Sequence, residues 1–196
     1  YFDTDSDGFA EAVNWVAAGD GLLAIDIDEN GNIDDNSELF GNTAEDGFSV
    51  LSSFDLNSDD VINASDAIWA DLVVWQDANQ DGYSQSDELL TLSSLNITSI
   101  NLGSITVNTI DPGVTHDSTA TTTTGTMRIS NVLFDADFVN TRFVGDYTLD
   151  IDTLFLPTLR GYGTVADLHI VASMDATEDT NGDTINAYFA RPLGPG

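Results

Sequence analysis

The stretch Asp77-Ala78-Asn79-Gln80-Asp81-Gly82-Tyr83-Ser84-Gln85-Ser86-Asp87-Glu88 decides how the rest of this chain is read. It fits, position for position, a twelve-residue calcium loop of the EF-hand type. Asp77, Asn79 and Asp81 place short oxygen-bearing side chains at positions 1, 3 and 5. Gly82 stands at position 6, where the backbone turns sharply, often with a positive φ that glycine adopts without steric cost. Tyr83 at position 7 offers its main-chain carbonyl, which leaves its side chain free. Glu88 at position 12 is long enough to reach back with both oxygens. A hard cation that takes about six to eight oxygens suits this donor set, and nitrogen or sulfur ligands would not.

Less regular copies of the loop lie on the N-terminal side. One runs through Asp55, Asn57, Asp59, the Val61 carbonyl, Asn63 and Asp66, with Asp60 in place of the glycine and the shorter aspartate in place of glutamate. Another runs through Asp26, Asp28, Asn30, Gly31, the Asn32 carbonyl and Asp34, with Glu38 one residue late. The first opens at Asp3, Asp5, Asp7 and Gly8, with the Phe9 carbonyl at position 7 and Asn14 where the closing acid belongs. Asp179, Asn181 and Asp183 start a similar pattern with no acid to close it. The spacing therefore predicts three to four Ca2+ ions, with a fifth site as the weakest member.

Charge points the same way. The chain has 196 residues and carries 34 Asp+Glu against 4 Lys+Arg, a formal net charge of −30. Residues 1–102 hold 22 of the acids and no Lys, Arg or His. Like-charge repulsion there opposes a compact state unless cations bind. Yet 41% of the chain is hydrophobic, and Trp15, Trp69 and Trp75 read as core, which argues against simple disorder. Nucleic acid and anionic membrane want a basic patch that is missing. There is no cysteine, hence no disulfide framework or thiolate zinc site. No apolar run approaches the roughly 20 residues of a membrane span.

Periodicity predicts short helices over 11–18, 48–54, 65–72 and 86–95, with loops three and four forming a helix–loop–helix pair. It predicts strands over 73–75, 96–102, 105–110, 126–134, 138–144, 147–156 and 168–172, and a loop or flexible hairpin over 118–126. Asp111-Pro112-Gly113 reads as a turn. The expected fold class is α+β: an EF-hand-like calcium-loop module over 1–102, then a Thr-rich, antiparallel β-rich region over 103–196.

Gly21-Leu22-Leu23, the run from Asp26 to Gly41, Asp46-Gly47-Phe48, Asp55-Leu56-Asn57-Ser58-Asp59 and Val74-Trp75-Gln76-Asp77 through Gly82 together resemble a module of large secreted RTX proteins of Gram-negative bacteria. The likeness is greatest to the calcium-dependent self-processing modules of that family. Leu156-Pro157-Thr158-Leu159-Arg160-Gly161-Tyr162-Gly163 and Asp167-Leu168-His169-Ile170 look like the sequence found after the module in very large members. The resemblance implies folding on calcium and cleavage of an Asp–Pro bond at the N-terminal border. The sequence opens at Tyr1 and reads as part of a longer chain, so that bond would lie upstream. Asp111–Pro112 lies after the module and is not assigned the scissile role.

The expectation is thus a calcium-binding structural module, secreted or at the cell surface, that folds on several Ca2+ ions outside the cell. The alternatives are a self-processing module, or a subunit of an extracellular adhesin or filament in which the chain associates with itself or with other domains. No catalytic residue is identified in this stretch, and any enzymatic activity would be self-cleavage in a longer chain. His116 and His169 lie in no ligand-spaced cluster.

Overall fold

Strands, rather than helices, carry the chain in the computed structural model, which describes residues 1–175. The described residues form ten strands: β1 (Phe9–Val13), β2 (Leu22–Ile25), β3 (Val61–Asn63), β4 (Leu72–Trp75), β5 (Leu89–Thr91), β6 (Ile97–Asn101), β7 (Thr106–Val107), β8 (Val114–Thr122), β9 (Gly125–Val132) and β10 (Ala136–Phe143). Their α-helices are two and short, α1 (Gly47–Ser52) and α2 (Leu168–Met174). The α+β, EF-hand-like expectation is therefore corrected: the architecture is mostly β, in three sheets, and strands populate residues 1–102 as well as the region beyond them.

Two compact units are present. The first takes Tyr1–Ser6 with Val13–Ala136; the second takes Asp7–Ala12 with the described residues from Asp137 onward. The sequence-based division falls at 102/103, whereas β3 and β6 share a sheet with β7, β8 and β9.

In the first unit β2 pairs antiparallel with β4, from Leu22 opposite Trp75 to Ile25 opposite Leu72, and β4 pairs with β5. Strand alternation sorts these side chains onto two faces. Leu23, Ile25, Leu72 and Val74 pack on a core of Phe48, Leu51, Ile62, Ile68, Leu92, Ile97, Ile100, Leu102 and Ala120. Leu22, Ala24, Val73 and Trp75 pack on the other side with Phe2 and Ile33, joined by Trp15. A sheet covered on both faces reads as continuous apolar runs, and Leu22-Leu23-Ala24-Ile25 and Leu72-Val73-Val74-Trp75 do. The second sheet runs β3-β6-β8-β7, with the long β8–β9 hairpin where a loop or flexible hairpin was expected. The turn at Asp111-Pro112-Gly113 forms as expected, closed by Val114 N–H donating to the Asp111 carbonyl at 3.2 Å, with Gly113 at φ +77°.

In the second unit β1 pairs with β10, and Phe9 meets Phe143 edge-on at 5.2 Å. Residues 151–155 form a 3-10 helix capped by the Asp150 side chain, and His169 Nδ1 of α2 donates to the Thr153 carbonyl at 2.7 Å.

Several expected elements change type for identifiable reasons. Only α1 stands where a helix was expected. The run 11–18 gives way to β1, in which Ala10 and Glu11 are buried. At 65–72 a 3-10 helix covers only Ala67–Ala70, because Leu72 onward is taken by the pairing with β2. At 86–95, Thr91 and Ser94 bond locally to the backbone, Ser94 Oγ donating to the Thr91 carbonyl at 2.7 Å, and such bonds compete with helix. Isolated helices of this length are marginal, so tertiary pairing decides. Conversely 168–172 is helix rather than strand, an apolar run too short for its period to tell the two apart. Residues 147–156 hold the 3-10 helix rather than a strand.

Candidate metal sites

Each loop repeats one backbone device. The residue at position 4 is left-handed, at Ser6, Glu29, Ser58 and Gln80 with φ of 58–60°, and position 6 is again positive, at Gly8, Gly31, Asp60 and Gly82. Single left-handed residues bend the chain so that successive short side chains point inward. In the second, third and fourth loops the first aspartate then receives the position-6 amide. Gly31 N–H donates to Asp26 Oδ2 at 2.9 Å, Asp60 N–H to Asp55 Oδ2 at 2.8 Å, and Gly82 N–H to Asp77 Oδ2 at 2.9 Å.

In the second loop, Asp26, Asp28 and Glu38 each bring a carboxylate oxygen within 4.8 Å of the others. Asn30 Nδ2 donates to Asp28 Oδ2 and to Asp34 Oδ2, at 2.9 and 3.0 Å, and Asn32 N–H to Asn30 Oδ1. A 3-10 helix at Asn36–Glu38, capped by Asp35, folds Glu38 back over the loop entry. Its Oε1 accepts from Ile27 N–H at 3.0 Å and its Oε2 from Asp34 N–H at 2.9 Å. Burial pushes the Glu38 carboxyl above its ordinary pKa, and those two amides partly offset the shift.

In the third loop Asn57 Oδ1 and Asp59 Oδ1 accept from Asp59 N–H and Val61 N–H at 3.0 and 3.1 Å. Asp66 is only 4% exposed. Its Oδ2 accepts from Asn63 N–H at 2.9 Å, and its Oδ1 is buried with no hydrogen-bond partner. In the fourth loop Asn79 Oδ1 and Asp81 Oδ1 accept from Asp81 N–H and Tyr83 N–H, both at 2.9 Å. Glu88 Oε1 accepts from Ala78 N–H at 2.9 Å, and the Tyr83 side chain is exposed. The first loop runs from one compact unit into the other. Asp3 is buried and Asp5 exposed in the first unit; in the second, Asp7 is exposed and Asp7 Oδ1 accepts from Phe9 N–H at 2.9 Å. The Asp179, Asn181 and Asp183 positions lie outside the described residues.

Glu38, Asp66, Asp77 and Glu88 are thus buried in a half of the chain with no Lys, Arg or His. A buried charge without a counter-ion is costly, and an orphaned carboxylate oxygen adds to that cost. An all-oxygen set with a buried closing acid fits a hard cation, which would supply the missing positive charge. Asp26, Asp28 and Glu38, Asp55 and Asp66, and Asp77 and Glu88 are the side chains that could hold it.

Residues 1–135 match the family model for the SPM domain. The chain belongs to the SPM domain family. The matched span covers the four loops that open at Asp3, Asp26, Asp55 and Asp77 and both sheets of the first unit, and it ends one residue before that unit does.

Two residues of the SPM domain are invisible to local sequence patterns. The Trp15 indole N–H donates to Asp77 Oδ2 at 2.6 Å, and Ser84 Oγ accepts from Ile33 N–H at 2.6 Å. Their partners lie 62 and 51 residues away, so no motif announces them. Asp66 is expected as a ligand from its spacing, but its unpartnered oxygen is not.

Proposed function

We propose that the loops over 26–38, 55–66 and 77–88 bind calcium, and that this binding folds the module in a calcium-rich extracellular setting. Four closing or opening acids, buried and drawn from a stretch of sequence with no Lys, Arg or His, carry this reading. Calcium neutralises them, and its binding free energy becomes folding free energy. Cytosolic calcium is scarce and external calcium is plentiful, so the module serves as a structural element of a secreted or surface chain. Among the described residues no helix is long and apolar enough to cross a membrane.

Circular dichroism during a calcium titration, with ion counting at saturation, tests this. The expected result is a gain of strand signal and near-UV Trp structure, with at least three ions bound. A chain equally folded in chelator and in calcium, binding no ion, would overturn it. Self-cleavage, which the RTX resemblance implies, is tested separately on a chain extended upstream of Tyr1. A new fragment appearing only with calcium supports it, and an intact band rejects it.

A further inference from the structure

We infer that the second and fourth loops bind their cations as one coupled pair while the third binds apart from them; this rests on the cation-binding reading above. In tandem loops of this type, position 8 is where two loops join. Ile33 holds that position in the second loop, Ile62 in the third and Ser84 in the fourth. Ile33 N–H donates to Ser84 Oγ across 2.6 Å, with both residues buried. Ile62 lies instead in β3 opposite Ile100 of β6, and the Asp60 carbonyl takes the N–H groups of Leu102 and Gly103.

The cores divide the same way. Ile33 shares one cluster with Trp75, which ends the strand entering the fourth loop, and with Ala24, next to the entry of the second. Ile62 belongs to the other cluster. The first cluster also holds the fourth loop directly. Trp15 packs against Phe2 and Trp75 at 5.4 and 5.3 Å between ring centres and donates its indole N–H to Asp77 Oδ2. A cation that orders Asp77 and Glu88 therefore fixes Ser84, the hydrogen-bond partner of the second loop. The reverse holds by thermodynamic necessity.

The amides of Gly31, Asp60 and Gly82 each donate to the first aspartate of their own loop, so their 15N shifts report occupancy loop by loop. In a calcium titration of the full chain, Gly31 and Gly82 should move with one midpoint and Asp60 with another. Ser84→Ala removes no ligand and should weaken the second loop about threefold to tenfold, the worth of one hydrogen bond, leaving Asp60 unmoved. Ser84→Thr keeps the hydroxyl and should keep the coupling, which controls for a misfolded alanine variant. Glu88→Gln should raise the Gly31 midpoint, and Asp66→Asn should raise only that of Asp60. If calcium still binds and the Gly31 midpoint is unchanged in Ser84→Ala and Glu88→Gln, the coupling is wrong. One common step for all three amides also overturns it. If none of the three amides responds to calcium, the failure lies in the cation-binding reading itself.

Discussion

Asp66→Asn separates a cation ligand from a merely structural acceptor by the sign of its effect. Asp66 is 4% exposed, its Oδ2 holds the Asn63 amide at 2.9 Å, and its Oδ1 faces no donor. Asparagine is nearly isosteric, and its amide oxygen can keep the bond to Asn63. Without cation the substitution exchanges a buried, half-satisfied charge for a neutral amide, whose unpartnered Nδ2 costs less to bury than the charge does. In chelator the variant should therefore unfold at higher urea than the parent. With calcium it loses a charged ligand, and the calcium midpoint should rise at least about tenfold, about 1.4 kcal/mol. Paired urea melts in chelator and in millimolar calcium, monitored by near-UV circular dichroism, read both effects. If chelator leaves no folded baseline, the calcium midpoint read at the Asp60 amide gives the second effect alone. Equal destabilisation in both conditions, or an unmoved calcium midpoint, would refute the reasoning, because the acid would then act only as a hydrogen-bond acceptor.

Two loop glycines with similar backbone should differ sharply on substitution. Gly31 has φ +87° with nothing within 4 Å of an added Cβ, so Gly31→Ala should cost about 1 kcal/mol of left-handed strain. Gly82 has φ +77° and its Cβ would lie 2.6 Å from the Tyr1 carbonyl oxygen, so Gly82→Ala should cost about 2 kcal/mol or more; equal melting temperatures would contradict this. Trp15→Phe keeps the ring packing but removes the donor to Asp77, and should raise the fourth-loop calcium midpoint about fivefold, the worth of about 1 kcal/mol. An unshifted Gly82 titration would show that the bond does not position the ligand. On the β8–β9 hairpin, bonds from Arg128 and Asn108 hold the Asp111 carboxyl below its ordinary pKa, and bonds from Ser130 and Arg128 lower that of Asp117. Depressed carboxyls stabilise the fold above their unfolded pKa, and that contribution is lost as pH falls through the ordinary Asp range to the folded values. Arg128→Ala should therefore flatten the acid limb of a melting-temperature profile, and salt should weaken the same effect in the parent. An identical acid limb in the variant would count against the pairing.

The loops were legible because everything that builds them is local. Side-chain oxygens two residues apart, a residue that tolerates positive φ, and an acid near position 12 all sit within one short window. Asp60 shows the limit of reading by identity. It stands where glycine was expected, yet its φ of +61° makes the same bend, since aspartate is among the residues that accept it. The frames around the loops were not legible, because they are decided by pairing across the chain. Nothing in 86–95 announces that Leu89–Thr91 will lie against Val73–Trp75, and nothing near Asp77 announces Trp15.

The correction from helix to strand also shows how a loop of this sequence pattern is closed without flanking helices. The closing acid needs only to be carried back over the loop entry, and a single turn suffices. Asn36–Glu38 provides it in three residues, with the Asp35 side chain accepting the Ser37 amide at 2.7 Å. This also accounts for Glu38 at position 13: the tight 3-10 turn takes up the extra residue and brings its carboxylate to Asp26 and Asp28. A longer helix would supply further apolar surface for a core, but here the strands supply it. Ala24 and Trp75, each fully buried, lie in paired strands that enter two different loops. Fixing those strands costs chain entropy before the contact between Leu22 and Trp75 repays it, and the acids at the loop mouths oppose the approach. On the proposed reading, cations at Asp26 and Asp77 act where the two strands leave the sheet. That position lets a local charge neutralisation favour a non-local pairing.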